Sequence, residues 1–503
     1  MGNAMGNFKE IVDIMEKYPS LGGFYIWDWV DQGIKTQTEN GEEYIGYGGD
    51  FGEVTHDYNF CLNGVVLPDL SKTGKLAEVK YVYQNADIKW NKNKTNILIS
   101  NKNYFVDLNR YKGKWELLKN GKLVKEGSFS LPGIAPQKSS YIKTPIDISK
   151  LDKQHEWLLN LQLISTKDEL WASKAYPVVE EQLVIQPFDF NSKAKKTGPF
   201  LISKQDEGKT IVLSNDKFSV AFDSKEGILK NYTYNGELLF ENGPKLNFWR
   251  ATTDNDTGNR LKKTNSKFAT KWHKTGLNDL QQELISATIE ENKIIANYKI
   301  LANQDNGFNA KVIYAFYEDG SINFDFDVEA FGSSIRNLPS LPKVGTQWLL
   351  PEEMDNMEWY GKGPFHNYID RANGTFIGNY SASVEEQFVN YPYPQENGNK
   401  MDVRWAMMDN GNGLGLKISG YQPLEVSAHH YATKNLDEAT HTHELQRTEN
   451  VYWNIDYKQC GLGNSSCGSN TRKEYCISPS EKFNFSYRME PIQTPVDRYG
   501  TSN

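Results

Sequence analysis

From about residue 75 onward, apolar and polar residues alternate with a period of two in short runs broken by turn residues, a pattern that suits strands. Successive side chains of a strand point to opposite faces of a sheet, so an alternating run buries one face and wets the other. In SINFDFDVEAF, Ile322, Phe324, Phe326 and Val328 fall on one face. The stretches TIVLSNDKFSVAFD and VDLNRYKGKWELLKNGKLVKEG repeat the pattern. Asn120-Gly121 and Asn235-Gly236 are the residue pairs that a two-residue hairpin turn favours. Residues 76–185 have the length of a small immunoglobulin-like β-sandwich, and 186–503 read as a large all-β domain. The polar stretch QPFDFNSKAKKTG, from Gln186, reads as the linker between them.

The first 75 residues follow another rule. Phe8, Ile11, Val12 and Met15 recur at helical spacing behind Asn7, with Glu10 placed for a capping box and Pro19 closing the helix. LGGFYIWDWV is then a short apolar run after glycines, the pattern of a strand buried on both faces. Helix then strand is the unit of an α/β barrel, and chemistry in such barrels sits at the C-terminal ends of the strands. Trp27, Asp28, Trp29 and Asp31 occupy that end. Asp28 and Asp31 are the carboxylates nearest the expected pocket, which would nominate them as an acid/base pair. Buried aspartates at loop junctions commonly hold backbone by hydrogen bonding, and that is the role expected of them.

Single hydrophobic cores stop growing near ~250–300 residues, so a 503-residue chain is expected to hold several domains. A net charge of −8, with acidic and basic residues interspersed, argues against a nucleic-acid partner. Crossing a bilayer takes an apolar run of ~20 residues, which the sequence lacks, so no membrane span is expected. The first residues, MGNAMGNFKEIVD, lack the basic-then-apolar pattern of a secretory leader, and the reading is a soluble chain of cytoplasm or periplasm. Cys61, Cys460, Cys467 and Cys476 lack the paired spacing of a zinc site and are expected to be free thiols. His429, His430, His441 and His443 lack a repeated ligand spacing and read as alternating strand residues with solvent-facing imidazoles.

Longer blocks carry more. GGFYIWDWVDQG, YGGDFGE and NFCLNGVVLPD resemble the end of the catalytic barrel in β-galactosidases of glycoside hydrolase family 2. KLNFWRATTDNDTGNR, EWYGKGPFHNYIDR, YPYPQENGNKMDVRW and WNIDYKQCGLGNSSCG resemble signatures of the β-supersandwich that ends the long-form members. The resemblance implies a multidomain, mostly β chain. Residues 1–75 would be the C-terminal part of a (β/α)8 barrel, 76–185 an immunoglobulin-like β-sandwich, and 186–503 a small-chain-like β-supersandwich. It implies a retaining β-galactosidase acting on terminal β-D-galactosides, in which two glutamates about 5 Å apart act as nucleophile and acid/base. MGNAMGNF resembles the stretch that follows the nucleophile motif. Both glutamates and the magnesium ligands are therefore expected upstream of Met1, and the chain alone is expected to be inactive without an N-terminal half.

Site residues follow from the same resemblance. Trp27 resembles the tryptophan that floors the galactose site; without the resemblance it would be read as a core residue. Phe60, through its backbone carbonyl, and Asn63, through its side-chain oxygen, resemble residues that bind sodium, with a third ligand expected from the N-terminal half. Asn63 is also expected to touch substrate. Gly258 resembles the start of a mobile loop, and Cys467 stands where some relatives place a tryptophan that stacks on the aglycone sugar. His366 stands where the family usually shows glutamate, a departure that bears on any ion pair there. The implied partners are a β-galactoside, the N-terminal half and further copies of the same protein. Exposed apolar surface is expected on the open barrel remnant. The competing reading is a non-catalytic carbohydrate-binding protein built on the two β-domains.

Overall fold

Both Asn-Gly pairs turn hairpins, because each places two consecutive residues in left-handed backbone: φ is 48° and 75° at Asn120 and Gly121, and 51° and 85° at Asn235 and Gly236. The computed structural model describes residues 2–190, 198–202, 210–258, 266–466 and 468–493. Its described residues divide into two compact units, one of residues 1–76, 193–372 and 380–503 and one of residues 77–192 and 373–379. Most of the expected linker, residues 191–197, lies outside the described residues.

The first unit is dominated by a large antiparallel sheet. Ile322–Phe331 lies between Asn306–Phe316 and Lys482–Gln493, and its alternation sends Ile322, Phe324, Phe326 and Val328 into the core. On the other arm, Glu237–Asn247 pairs with Lys343–Pro351, which pairs with Asn450–Gln459 and so reaches Leu414–His429. These partners are far apart in sequence. The sheet is therefore assembled through long-range pairing, and Trp348 lies buried in its core, its ring centroid 5.0 Å from Phe240 and 5.4 Å from Phe324.

The second unit is a sandwich. Ala86–Trp90, Asn96–Asn101 and Ser139–Lys143 form one sheet; Lys122–Phe129, Tyr111–Lys119, Trp157–Ser165 and Pro177–Gln186 form the other. Ile88, Ile97 and Ile99 from the first share a core with Leu117, Leu159, Leu161 and Leu163 from the second. Glu78 ties residues 373–379 to this unit by accepting from the backbone N–H of Asn373 (2.9 Å) and Gly374 (3.1 Å).

The barrel remnant belongs to the first unit and departs from expectation in two places. The helix forms over Phe8–Lys17 and buries Phe8 and Val12, but Asn7 is left-handed and makes no side-chain cap, so there is no capping box. The stretch after it is not a strand buried on both faces. Its pairing is confined to a single parallel bridge, Val30 to Val66, and Tyr25 and Trp27 are 98% and 76% exposed. A parallel strand needs a neighbour on each side to be buried, and among the described residues it has a bridge on one. Leu21, Trp29, Ile34, Phe51 and Val54 are exposed in the same region, as an open remnant predicts.

The histidines also differ from their sequence reading. His429 closes the strand Leu414–His429 inside the sheet, where its Nε2 donates to the Asn397 carbonyl (3.0 Å) and burial pushes the imidazole down to about 4. His430 is 2% exposed and lies 3.0 Å from Asp355. His441 stacks on Tyr47 at 4.5 Å beside the short helical turn Thr442–Glu444 that holds His443. Cys61, Cys460 and Cys476 are free thiols, and Cys467 lies outside the described residues. No described helix is long and apolar enough to cross a membrane.

Replacing a fully buried tryptophan by alanine costs ~3–5 kcal/mol through lost transfer energy and the cavity left behind. Trp348→Ala is expected to lower the denaturation midpoint accordingly, whereas the exposed Trp27→Ala is expected to leave it within about 0.5 kcal/mol. Urea unfolding of the two variants checks the contrast; equal shifts would contradict this assignment of the core.

Candidate functional site

Two irregular stretches are laced together at the end of the barrel remnant. Asp28 N–H donates to the Asn63 carbonyl (2.9 Å), Val65 N–H to the Asp28 carbonyl (3.0 Å) and Asp31 N–H to the Val66 carbonyl (3.0 Å). Gly64 sits at the tightest point, where an added Cβ would lie 2.1 Å from the Asp31 nitrogen. Glycine is required there by close approach alone.

Two buried charges hold that glycine. Its N–H donates to Asp31 Oδ1 at 2.6 Å, and its carbonyl accepts from Lys75 Nζ at 2.6 Å. Burial raises the Asp31 carboxyl above its usual range against the pull of Lys75. Burial also pushes the Lys75 amine down to about 8, while Asp31 and Asp254 act to raise it. Asp31 is thus engaged with backbone, and the Asp28 carboxylate accepts from Gln32 Nε2 at 2.5 Å.

Asn63, one residue before Gly64, meets Trp27. In the amide orientation that satisfies both of its ends, its nitrogen donates to the Cys61 carbonyl (3.3 Å) and Asp28 Oδ1 (3.2 Å), and its oxygen accepts from the Trp27 indole N–H (3.2 Å). The same terminal atom is 3.3 Å from the Phe60 carbonyl oxygen. The Phe60 carbonyl and the Asn63 amide oxygen are neutral oxygen donors, the kind that a hard cation such as sodium takes. Among the described residues, no group of three or more His, Cys, Asp or Glu side chains gathers to hold a metal ion.

Trp27, Phe60, Asn63, Lys75, Asn255 and Ser466 line one small cavity of about 180 Å³. Three of the four residues singled out for substrate or sodium from the sequence, Trp27, Phe60 and Asn63, are therefore brought together; the fourth, Cys467, lies outside the described residues, next to Ser466. Gly258 caps the short helix Asp254–Thr257 with φ 74°, just after Asn255, and the loop beyond it lies outside the described residues. Lys75 and Asn255 were not singled out from the sequence. Lys75 had a signal, since a cation in the first turn of a helix opposes the helix dipole and asks for another reason to be there. The helix Gly74–Val82 carries it in that turn because Thr73 Oγ donates to the Val65 carbonyl (3.2 Å) and accepts from the Lys75 N–H (3.2 Å).

Gly64→Ala is expected to destabilise the chain by ~3 kcal/mol or more, since the new methyl meets backbone that cannot give way. Gly258→Ala puts a methyl 2.8 Å from the buried Lys267 side chain at φ 74° and ψ −154°, backbone open essentially to glycine alone, and is expected to cost ~1–3 kcal/mol. Chemical denaturation of both variants measures the order, and a smaller loss for Gly64→Ala would contradict the clamp.

Three family models match in sequence order: Glycosyl hydrolases family 2, TIM barrel domain over residues 1–88, Beta-galactosidase, domain 4 over 97–186, and Beta galactosidase small chain over 214–489. A β-galactosidase of Priestia megaterium is 32% identical over 498 residues, covering 98% of this chain and 47% of that protein. One from Halalkalibacterium halodurans is 30% identical, covering 98% and 48%. The chain thus spans about half the length of the curated relatives it matches. A crystal structure of galactose 1-epimerase from Lactobacillus acidophilus NCFM overlaps 60% of this chain and 99% of that one, at 10% identity and a TM-score of 0.28.

Proposed function

We propose, on the premise that the chain belongs to the β-galactosidases of glycoside hydrolase family 2, that it is the C-terminal part of a retaining β-galactosidase and finishes that enzyme's galactoside pocket. The observation that carries this reading is the Trp27–Asn63 contact: an indole fixed through its N–H, with most of its face bare beside a cavity. A bare indole face suits the C–H surface of a galactose ring, and fixing it in advance lowers the entropy cost of binding.

In this reading the Phe60 carbonyl and the Asn63 side-chain oxygen would hold sodium, which would supply a fixed positive charge to the oxygens of sugar hydroxyls. Asn63 serves indole and cation together, so substrate and sodium affinity are coupled through one amide. Asp31 and Lys75 keep that amide in place by holding Gly64. The two glutamates that break the glycosidic bond, and the magnesium ligands, come from an N-terminal half. The apolar surface around Leu21, Tyr25 and Trp29 is where that half seats. The division at residues 75 and 185, the terminal β-D-galactoside substrate and assembly into a homo-oligomer belong to the same proposal, and the order of the family models supports the division.

Hydrolysis of nitrophenyl β-D-galactoside tests it. These 503 residues alone are expected to be silent and to gain activity when the matching N-terminal half is added. Turnover by the chain alone would overturn the reading and return attention to Asp28 and Asp31. In the completed enzyme, Trp27→Ala is expected to raise KM about tenfold or more, equivalent to ~1.4 kcal/mol of lost binding. Replacing sodium by a bulky organic cation is expected to raise KM for the wild type and to have little further effect on Asn63→Ala. A sodium response undiminished in Asn63→Ala would reject the role given to that residue.

A further inference from the structure

A second cavity in the first unit, of about 460 Å³, shares no lining residue with the one beside Trp27. Its walls include Phe365, Tyr380 and Phe388, and its lining also includes Lys400, His366 and Trp359. Pockets of this volume take ligands the size of a single ring with its substituents.

Lys400 is 1% exposed. Its ammonium has three N–H groups. One donates to the Gly398 carbonyl at 2.8 Å and one more weakly to Gln387 Oε1 at 3.4 Å, while the Nζ lies 5.0 Å from the Trp359 ring centroid. Among the described residues no carboxylate pairs with it, and burial alone pushes the amine down to about 7. Buried lysines are ordinarily paired, so an unpaired one lining a cavity asks for an anion.

Position 366 brings no negative charge to Lys400, because it holds a histidine. His366 accepts from the Gly398 N–H at Nδ1 (3.4 Å), which leaves its proton on Nε2, 3.3 Å from the Tyr391 hydroxyl. Burial, with Arg371, Lys400, Lys75 and His429 around it, holds this imidazole neutral, well below its ordinary value. The remaining carboxylates of the lining, Asp69 and Glu386, are exposed and accept from the nearby backbone N–H groups of Ser71 (2.9 Å) and Ser383 (2.9 Å); Lys72 adds a further positive charge beside Asp69.

We propose that this cavity binds a small organic carboxylate, whose ring packs against Phe365, Tyr380 and Phe388 and whose charged group pairs with Lys400. The ligand carboxylate takes the place that an acidic side chain at position 366 would fill. Binding needs the ammonium form, so it takes up a proton whenever the free amine is partly neutral. This site is independent of the galactosidase reading.

Isothermal titration of the 503-residue chain with benzoate, and with benzamide as its neutral counterpart, tests the proposal. Benzoate is expected to bind and benzamide to bind at least tenfold more weakly. With the free amine near 7 and benzoate ionised throughout, affinity is expected to fall about fiftyfold between pH 7 and pH 9. At pH 7 about half a proton is taken up per benzoate, read from heats in buffers of different ionisation enthalpy. Lys400→Met is expected to abolish binding. His366→Glu supplies an internal carboxylate and is expected to abolish it too, in a chain that keeps its lysine. Three outcomes would overturn the proposal: no benzoate heat from the folded wild type, equal binding of benzamide, or wild-type affinity in a folded His366→Glu variant.

Discussion

Backbone that follows neither helix nor strand cannot satisfy its own peptide groups, and the first residues of this chain run buried in that state. Their partners come from remote parts of the sequence. Asn3 N–H donates to Gln395 Oε1 (2.9 Å), Gly6 N–H to the Gly463 carbonyl (3.0 Å) and Asn7 N–H to the Asp370 carbonyl (2.7 Å). Arg371 reaches the Asn3 side-chain oxygen at 2.7 Å and the Ala4 carbonyl at 2.8 Å. Asp370 in turn holds the N–H groups of Leu462 (2.9 Å) and Gly463 (2.7 Å). Gly6 runs so close to Asp370 that a Cβ would lie 2.0 Å from its carboxylate. The short segment is thus docked on loops that connect strands of the large sheet, by hydrogen bonds that water would otherwise provide.

The docking continues into buried polar groups of the same unit. Gln395, which holds Asn3, also donates to Asp254 Oδ2 (3.2 Å), and Asp254 accepts from Asn59 Nδ2 (2.7 Å). Asp254 opens the short helix that places Asn255 in the Trp27 cavity, and its neighbour Asp256 is held by Arg250, 3.0 Å from both carboxylate oxygens. Removing two charges from water is expensive, and a buried pair recovers that cost only with good geometry and further hydrogen bonds. Arg250 has both, since it also donates to the Gly461 carbonyl (3.2 Å). The network contributes position more than stability: it brings Trp27, Asn63 and Asn255 to one cavity from elements separated by many residues.

Fold and site were legible to different depths. The strands with clean alternation, and both Asn-Gly hairpins, follow from local rules, because side-chain direction in a strand and the sign of φ in a two-residue turn are local properties. The helix over Phe8–Lys17 was legible for the same reason, whereas its capping box was not: Asn7 is held by the Asp370 carbonyl, and that tertiary bond overrides the local option. The run through Trp27 reads as a buried strand because its residues are apolar. Its exposure depends on which neighbours are present, and composition does not record neighbours. His429 and His430 read as solvent-facing by the same failure, since alternation tells faces apart without telling which face another part of the chain will cover.

The sequence by itself determined that the chain is mostly β and that a barrel-like remnant precedes it, because periodicity and multi-residue blocks are written in the order of residues. Only the tertiary structure decided that Gly64 is clamped between Asp31 and Lys75, that Trp27, Phe60 and Asn63 line one cavity, and that Lys400 lies buried with no carboxylate paired to it among the described residues. Those facts depend on distances between residues remote in sequence. In a protein interior a few ångströms separate a paired charge from an unpaired one, and no local pattern encodes that difference.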